Sequence, residues 1–444
     1  MQRRFFLKSG SASAVALALA ACGGGGGGGG GGADSSAGAT GSSLATGAST
    51  TRNAASGPNS YPFGSRLDAY VAGVLPTSAS KDQMDAAVRS SYDAWKAHGL
   101  VDVPTVSGGK ALRFGTSGDY LTVSEGMGYA MLITVLMAGH DPQARNLFDG
   151  LLKTVRARPA YSIPAGNGGQ YLMDWRLTID GSSTDAAGGG WNAMDGDLDI
   201  AMALLMADRQ WGSTGTWNYR QEGINTINAL KSWNMKPDGT TKGMSTANVS
   251  RTSDYMISHF RAFKRATGDS LWDLAVDRAY WLVNYMQNTY SPNCGLMPDF
   301  IVQTDTSTPI PSPGYMGDFV ATEGYYYANA QRNPWRYATD YVTSGDSRWA
   351  DVCTKLVNFI QRDTNGNPAI ISAGYHLDGA AMDRSYSPEG MIGPMLCGAM
   401  VNGQFQTFLN SLWNWNAGNF TTDYYDSELQ LLPMIVASGN WWNP

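Results

Sequence analysis

Ten consecutive glycines, Gly23 to Gly32, offer no side chain that a core could bury, and a Ser/Ala/Thr/Gly-rich stretch continues from them to about Pro58. Such a composition behaves as a flexible coil, so residues 23–59 read as a linker and the folding unit is confined to residues 60–444. Upstream, Gln2-Arg3-Arg4-Phe5-Phe6-Leu7-Lys8 precedes the small, apolar run Ala12 to Ala20. That is the charged and hydrophobic pattern of an export signal, with twin arginines that point to the Tat route. The run falls short of the roughly 20 apolar residues that span a bilayer. It ends in Leu19-Ala20-Ala21-Cys22, which resembles a bacterial lipobox, so residues 1–22 read as a lipoprotein signal with Cys22 as the lipidated residue. A plain signal cleaved near Ala21 is the alternative. The expectation is an exported monomer, held to a membrane of the bacterial cell envelope through Cys22.

Composition excludes some functions. The formal net charge is −6 and no Lys/Arg cluster follows the leader, so the electrostatic footprint of a nucleic-acid binder is missing. With Cys22 set aside, Cys294, Cys353 and Cys397 remain, an odd number without metal-type spacing, which argues against a disulfide framework or a zinc site. Only 15% of residues are charged while 14 are Trp and 22 are Tyr, and flat aromatic faces suit both sugar rings and large cores.

From about residue 60 onward the apolar spacing is helical, interrupted by Gly/Pro/Asn-rich loops, and the fold class is all-α. Ser80-Lys81-Asp82-Gln83 has capping-box spacing and leads into Met84, Val88, Tyr92 and Trp95 on one face, ending at Gly99. Similar patterns begin near Ser124, Asp197, Tyr219, Ser253, Trp272, Tyr325 and Arg348, joined by long connections at 155–192 and 291–322. Without a short internal repeat, a solenoid of near-identical units is disfavoured, whereas a closed array of helical hairpins fits. Glu125, Asp195, Asp254 and Glu323 all stand at or just before helix starts, so one end of such an array would gather them.

Two segments carry chemistry. In Ser124-Glu125-Gly126-Met127-Gly128-Tyr129 a carboxylic acid enters the first turn of a helix beside two glycines. A first-turn Glu does no more than favour the helix dipole, but each glycine costs the helix about 1 kcal/mol, so something else must require them. In Asp195-Gly196-Asp197-Leu198-Asp199-Ile200-Ala201 the alternating aspartates suggest a calcium loop. Met206 stands where an EF-hand needs its bidentate Glu, so no metal site is assigned. Asp197 and Asp199 read as helix N-terminal charges.

Together with Ala207-Asp208-Arg209-Gln210-Trp211-Gly212, Thr267-Gly268-Asp269, Gly295-Leu296-Met297-Pro298-Asp299 and Trp335-Arg336, these segments resemble glycoside hydrolase family 8 over roughly residues 60–440. The resemblance implies an (α/α)6 barrel that hydrolyses cellulose, lichenan, xylan or chitosan with inversion and needs no cofactor. By position it implies Glu125 as general acid and Asp195 as the residue that steadies the distorted sugar and the attacking water. Burial and the charge of Asp195 are expected to keep Glu125 protonated against the helix dipole.

One position departs from the commonest branch of that family, where an Asp shortly before Ala-x-Arg and Trp-Arg is the base. Here the stretch is Tyr327-Ala328-Asn329-Ala330-Gln331-Arg332-Asn333-Pro334-Trp335-Arg336, and the amide of Asn329 has no useful basicity. A second branch, similar also in Arg251-Thr252-Ser253-Asp254-Tyr255-Met256, takes a Glu from the preceding loop. In the loop from about Val302 to Tyr325 that role falls first to Glu323, then to Asp318, then to Asp305. Asp254 is a subsite candidate or a helix cap, Arg332 orients a carboxylate or sugar hydroxyl, and Trp175, Trp191, Tyr129, Trp335 and Tyr425 are candidate sugar platforms or core residues. The function expected is an inverting endo-hydrolase of a β-1,4-linked polysaccharide, β-glucan or chitosan. The alternatives are a surface lipoprotein that holds glycans without cutting them and a polysaccharide lyase on a similar toroid.

Overall fold

The computed structural model describes residues 59–115, 120–183, 189–243, 248–314, 321–385 and 388–444. The leader with Cys22, the glycine run and Asp318 lie outside the described residues.

Among the described residues twelve α-helices follow one another: α1 (Lys81–Gly99), α2 (Ser124–Leu136), α3 (Ala144–Ala157), α4 (Met194–Trp211), α5 (Tyr219–Asn234), α6 (Ile257–Thr267), α7 (Leu271–Thr289), α8 (Asn333–Ser344), α9 (Ser347–Asp363), α10 (Glu389–Ala399), α11 (Gln406–Gly418) and α12 (Asp426–Ala437). The even-numbered helices form a closed inner ring in which α2 packs on α4, α4 on α6, α6 on α8, α8 on α10, α10 on α12 and α12 back on α2. The odd-numbered helices pack outside them, α1 on α12 and each of the others on the inner helix before it. The architecture is an (α/α)6 barrel.

Sequence pattern decides which ring a helix joins. Outer helices carry a one-sided stripe, such as Trp349, Val352, Cys353, Leu356, Val357 and Ile360 on α9. Ser80 caps α1 through Gln83, closing the box its spacing predicts. Three inner helices are covered on every side: in α2 only Glu125 reaches solvent, in α10 every residue from Gly390 to Ala399 is buried, and in α12 every residue is. The inner helices α10 and α12 also contain Pro394 and Pro433 and show no stripe, which is why the periodicity of the sequence misses them.

Among the described residues seven short strands sit in the connections. β1 (Leu100–Asp102) pairs with β2 (Lys110–Leu112), and β3 (Tyr120–Val123) with β4 (Arg176–Thr178). β5 (Val249–Arg251), β6 (Phe300–Val302) and β7 (Ile310–Pro311) form a third antiparallel sheet. The segment preceding α1 seals the C-terminal ends of the inner helices: Phe63 donates its N–H to Ala138, Val71 to Val342 and Val74 to Met400. Tyr61 stacks on Trp442, with ring centroids 4.8 Å apart, and both rings lie beneath the Arg209 guanidinium. With that end closed, the N-terminal ends of the inner ring are left to build a site.

Ring closure depends on near contact between backbones. A Cβ at Gly393 of α10 would overlap the carbonyl oxygen of Leu429 in α12. Gly393→Ala is therefore expected to destabilise the fold by about 1–3 kcal/mol, the usual weight of overpacking, read by denaturant unfolding. Gly166→Ala, where an added methyl meets nothing within 4 Å, serves as a control within about 0.5 kcal/mol.

Candidate active site

Glu125 is the second residue of α2 and Asp195 the second of α4. The glycines around them let these two helix starts touch. A Cβ on Gly128 would lie 2.7 Å from the Asp199 Cβ and 2.8 Å from the Gly196 carbonyl, and one on Gly196 would overlap the backbone of Ser124. Gly126 faces the Tyr424 ring, 2.9 Å from where a Cβ would stand. Close approach of α2, α4 and Tyr424, rather than helix stability, accounts for these glycines.

Arg332 occupies the gap so made. Its Nη1 donates to Glu125 Oε2 at 2.6 Å and to Asp195 Oδ2 at 2.8 Å, and its Nη2 donates to Ser253 Oγ and to Asn329 Oδ1, both at 2.8 Å. Arg251 holds the other oxygen of Asp195 at 2.6 Å and, through Nε, Asp254 at 2.9 Å. Tyr424 donates its hydroxyl to Glu125 Oε1 at 2.9 Å. The side chains of Arg332 and Asp195 are 1% and 2% exposed while that of Glu125 is 17% exposed, so of the two acids on Arg332 only Glu125 reaches solvent.

The two acids are driven apart electrostatically. Burial pushes Glu125 up to about 7 against the pull of Arg332, with the charge of Asp195 adding to the rise and Arg251 and Tyr424 opposing it. Burial acts on Asp195 in the same sense, but Arg251 and Arg332 outweigh it and hold this carboxyl well below the usual carboxylate range. One acid keeps its proton near neutrality and its neighbour stays ionised, which is the division of labour a proton donor beside an electrostatic stabiliser requires.

The turn that delivers Arg332 is built on Asp299. Its Oδ1 accepts the backbone N–H groups of Tyr327 and Asn329, each at 3.1 Å, and of Ala330 at 2.7 Å, and its Oδ2 accepts the Asn329 amide at 3.3 Å. These bonds shape residues 327–330 as a turn, and α8 begins at Asn333 with Pro334 in its first turn instead of near Tyr325 as the periodicity suggests. Asn329 is 6% exposed and is engaged by both Arg332 and Asp299, so it orients the guanidinium.

The remaining candidates separate by burial. Tyr129 and Trp335 are 0% and 1% exposed and so are corrected from sugar platforms to core residues. The Tyr129 hydroxyl accepts from Arg332, and the Trp335 ring lies 3.7 Å from the Arg336 guanidinium. Asp254 is fully buried behind Asp195 as the partner of Arg251, which corrects its reading as a group facing substrate. Burial pushes its carboxyl up to about 6 against Arg251. Trp175 and Trp191 are half-buried, and the Trp175 carbonyl accepts from the N–H of Ser124 at 2.8 Å, next to Glu125. Tyr425 has φ +76, a strained value for a bulky residue, fixed by its N–H on Glu428 Oε2 and its hydroxyl on the Ala328 carbonyl. Glu323 is buried, accepting from Ser312 Oγ at 2.6 Å while its carbonyl accepts from Phe300 of β6. Asp305 is exposed beyond the end of β6.

Sequence reasoning passed over Tyr424, Ser253 and the roles of Arg251 and Asp299. Arg251 and Asp299 stand inside the motifs, but a motif does not say that a side chain faces another segment 28 to 56 residues away.

The profile described as "Glycosyl hydrolases family 8" matches residues 105–439. A beta-glucanase of Niallia circulans is 36% identical over 381 residues, 84% of this chain and 89% of that protein. An endoglucanase of Bacillus sp. (strain KSM-330) is 36% identical over 396 residues, 86% of this chain and 82% of that protein. Among solved structures, the apo beta-1,3-1,4-glucanase from Paenibacillus sp. X4 superposes with a TM-score of 0.81 at 35% identity, over 87% of this chain and all of that one. A cold-adapted family 8 xylanase in complex with substrate shares the fold, with a TM-score of 0.67 at 19% identity over 86% of this chain and 97% of its own.

If Glu125 is the proton donor and Arg332 restrains the rise of its pKa, the high-pH limb of kcat is expected near pH 7. Arg332→Met removes an opposing positive charge, so its residual activity is expected to persist to higher pH than in the parent. A limb that stays fixed or moves down in a pH–rate profile refutes this reading.

Proposed function

The chain belongs to the glycosyl hydrolases of family 8, and on that premise we propose that this endo-acting glycoside hydrolase cleaves β-1,4 linkages in β-glucan with inversion at the anomeric carbon. The names of the relatives, beta-glucanase, endoglucanase and beta-1,3-1,4-glucanase, favour glucan over chitosan as the substrate.

The observation that carries the mechanism is the single guanidinium of Arg332 on both Glu125 and Asp195, with only Glu125 reaching the open side. In the reaction Glu125 gives its proton to the glycosidic oxygen as the bond from C1 to that oxygen breaks. Positive charge grows at C1, and the ionised Asp195 stabilises it and orients the incoming water. Water attacks C1 from the opposite face and loses its proton to a second carboxylate, so the newly formed hemiacetal carries the inverted configuration. Glu323 is the proposed base. It is a buried carboxylate whose backbone runs beside β6, next to the Asp299 that organises the Arg332 turn. Asn329 is left to orient, and Asp318 stands second to Glu323.

Export and a lipid on Cys22 complete the proposal: the glycine-rich linker would let the enzyme search for polymer near the membrane.

Four outcomes test this reading. Glu125→Gln is expected to lower kcat on lichenan by roughly 10²–10⁴-fold, and Glu323→Ala by a similar factor with reducing-sugar release as the readout. Early products followed by proton NMR should show the α-anomer; a β-anomer first would sink the inverting mechanism, and no reducing sugar from any β-glucan would leave a protein that only holds glycans. Cys22→Ser should move the protein from the membrane fraction to the soluble one.

A further inference from the structure

Asp197 stands two residues after Asp195 in the first turn of α4, where a solvated helix-end charge would be unremarked. The structure gives it a different task. Its side chain is fully buried and both oxygens serve loops outside its own helix: Oδ1 accepts the backbone N–H of Met173 at 2.9 Å and Oδ2 accepts Nδ2 of Asn192 at 2.9 Å. Met173 comes two residues before Trp175, and Asn192 directly follows Trp191.

The two stretches are bonded directly to each other. Trp175 donates its N–H to the Trp191 carbonyl at 2.8 Å, and Gly190 donates its N–H to Asp174 Oδ1 at 2.9 Å. Behind them, Trp191 stacks on Trp233 with centroids 5.9 Å apart and planes at 17°, and Asn234 accepts from Asn192 at 2.9 Å. The Trp175 carbonyl is taken by Ser124, so this pair of loops is also fastened to the start of α2 beside Glu125. One carboxylate thus fixes both indole-bearing loops to the helix turn that presents Asp195. Directed acceptors toward two separate loops are more than a helix-end charge needs.

We propose that Asp197 is a positioning residue for substrate: it sets Trp175 and Trp191 in register with Asp195, so that a glucan chain lying on the indoles has its scissile linkage over Glu125. The inference rests on the reading of Trp175 and Trp191 as sugar platforms. Platforms held in place before binding lose little conformational freedom when the polymer arrives, and the benefit appears in affinity. The chemistry at C1 is left to Glu125 and its partners.

The test is steady-state kinetics on lichenan, with calorimetric binding of a mixed-linkage glucan tetrasaccharide in the Glu125→Gln background. Asp197→Ala and Asn192→Ala are each expected to raise KM and weaken binding about tenfold, the weight of one or two lost hydrogen bonds, with kcat changed by less than about threefold. The double variant should be little worse than either single one, because both cut the same link. Asp197→Asn keeps an acceptor for Met173 but sets an amide NH2 against Asn192 Nδ2, so it should weaken binding as Asn192→Ala does and no further. Trp175→Ala and Trp191→Ala measure the platforms separately. If neither raises KM, the platform reading falls; if they do while Asp197→Ala and Asn192→Ala leave KM unchanged, or lower kcat alone, the positioning role is overturned. Should Asp197→Ala fail to fold by circular dichroism, Asn192→Ala decides the matter.

Discussion

Two carboxyl groups that must differ in protonation share one guanidinium, and much of the barrel can be understood as the means of making that sharing possible. Arg332 donates to Glu125 and Asp195 from the same nitrogen, so the two acids must approach within reach of a single atom. Their helices can come that close only because Gly128 and Gly196 remove the side chains that would separate them. A second arginine, Arg251, then breaks the symmetry by binding Asp195 from its other side. Asp195 is ionised by two cations, while Glu125, with one arginine and one tyrosine, is governed by its burial.

This arrangement belongs at the N-terminal ends of the inner helices for a general reason. Six helix starts converge there, with their unsatisfied N–H groups and the positive ends of their dipoles, and so favour buried carboxylates. The opposite end is stoppered by the segment before α1, by Tyr61 and by Trp442. A closed base and a charged rim follow from one topology. Carboxylates nearby serve as connectors: Asp299 gathers three backbone N–H groups to shape the turn before Arg332, Asp199 binds Arg336 through both oxygens together with His259, and Asp197 holds two loops.

Burial also explains which residue types are misjudged from sequence. Tyr129 and Trp335 have the chemistry of sugar platforms, but their positions in fully covered inner helices leave no face for a ligand. The half-buried Trp175 and Trp191 lie in the connection before α4, where loops on a rigid scaffold meet the site. Where an inner helix has no polar side, periodicity cannot tell which of its residues faces the axis; α10 and α12 leave no stripe to find.

What the sequence determined by itself is local. Apolar spacing and the Ser80 capping box gave the outer helices α1, α5, α7 and α9 but not α3 or α11, and ordered motifs carried the family resemblance with Glu125 and Asp195 at helix starts. The tertiary structure decided which distant groups meet. It brought Tyr424 onto Glu125 across 299 residues and Arg332 onto Asp195 across 137, and it turned Asp197 from a terminal charge into a fastening for two loops. The physical reason is range: propensity and periodicity act over a few turns, whereas a pKa, a platform or a hydrogen-bond partner is set by whatever closure of the ring places beside it.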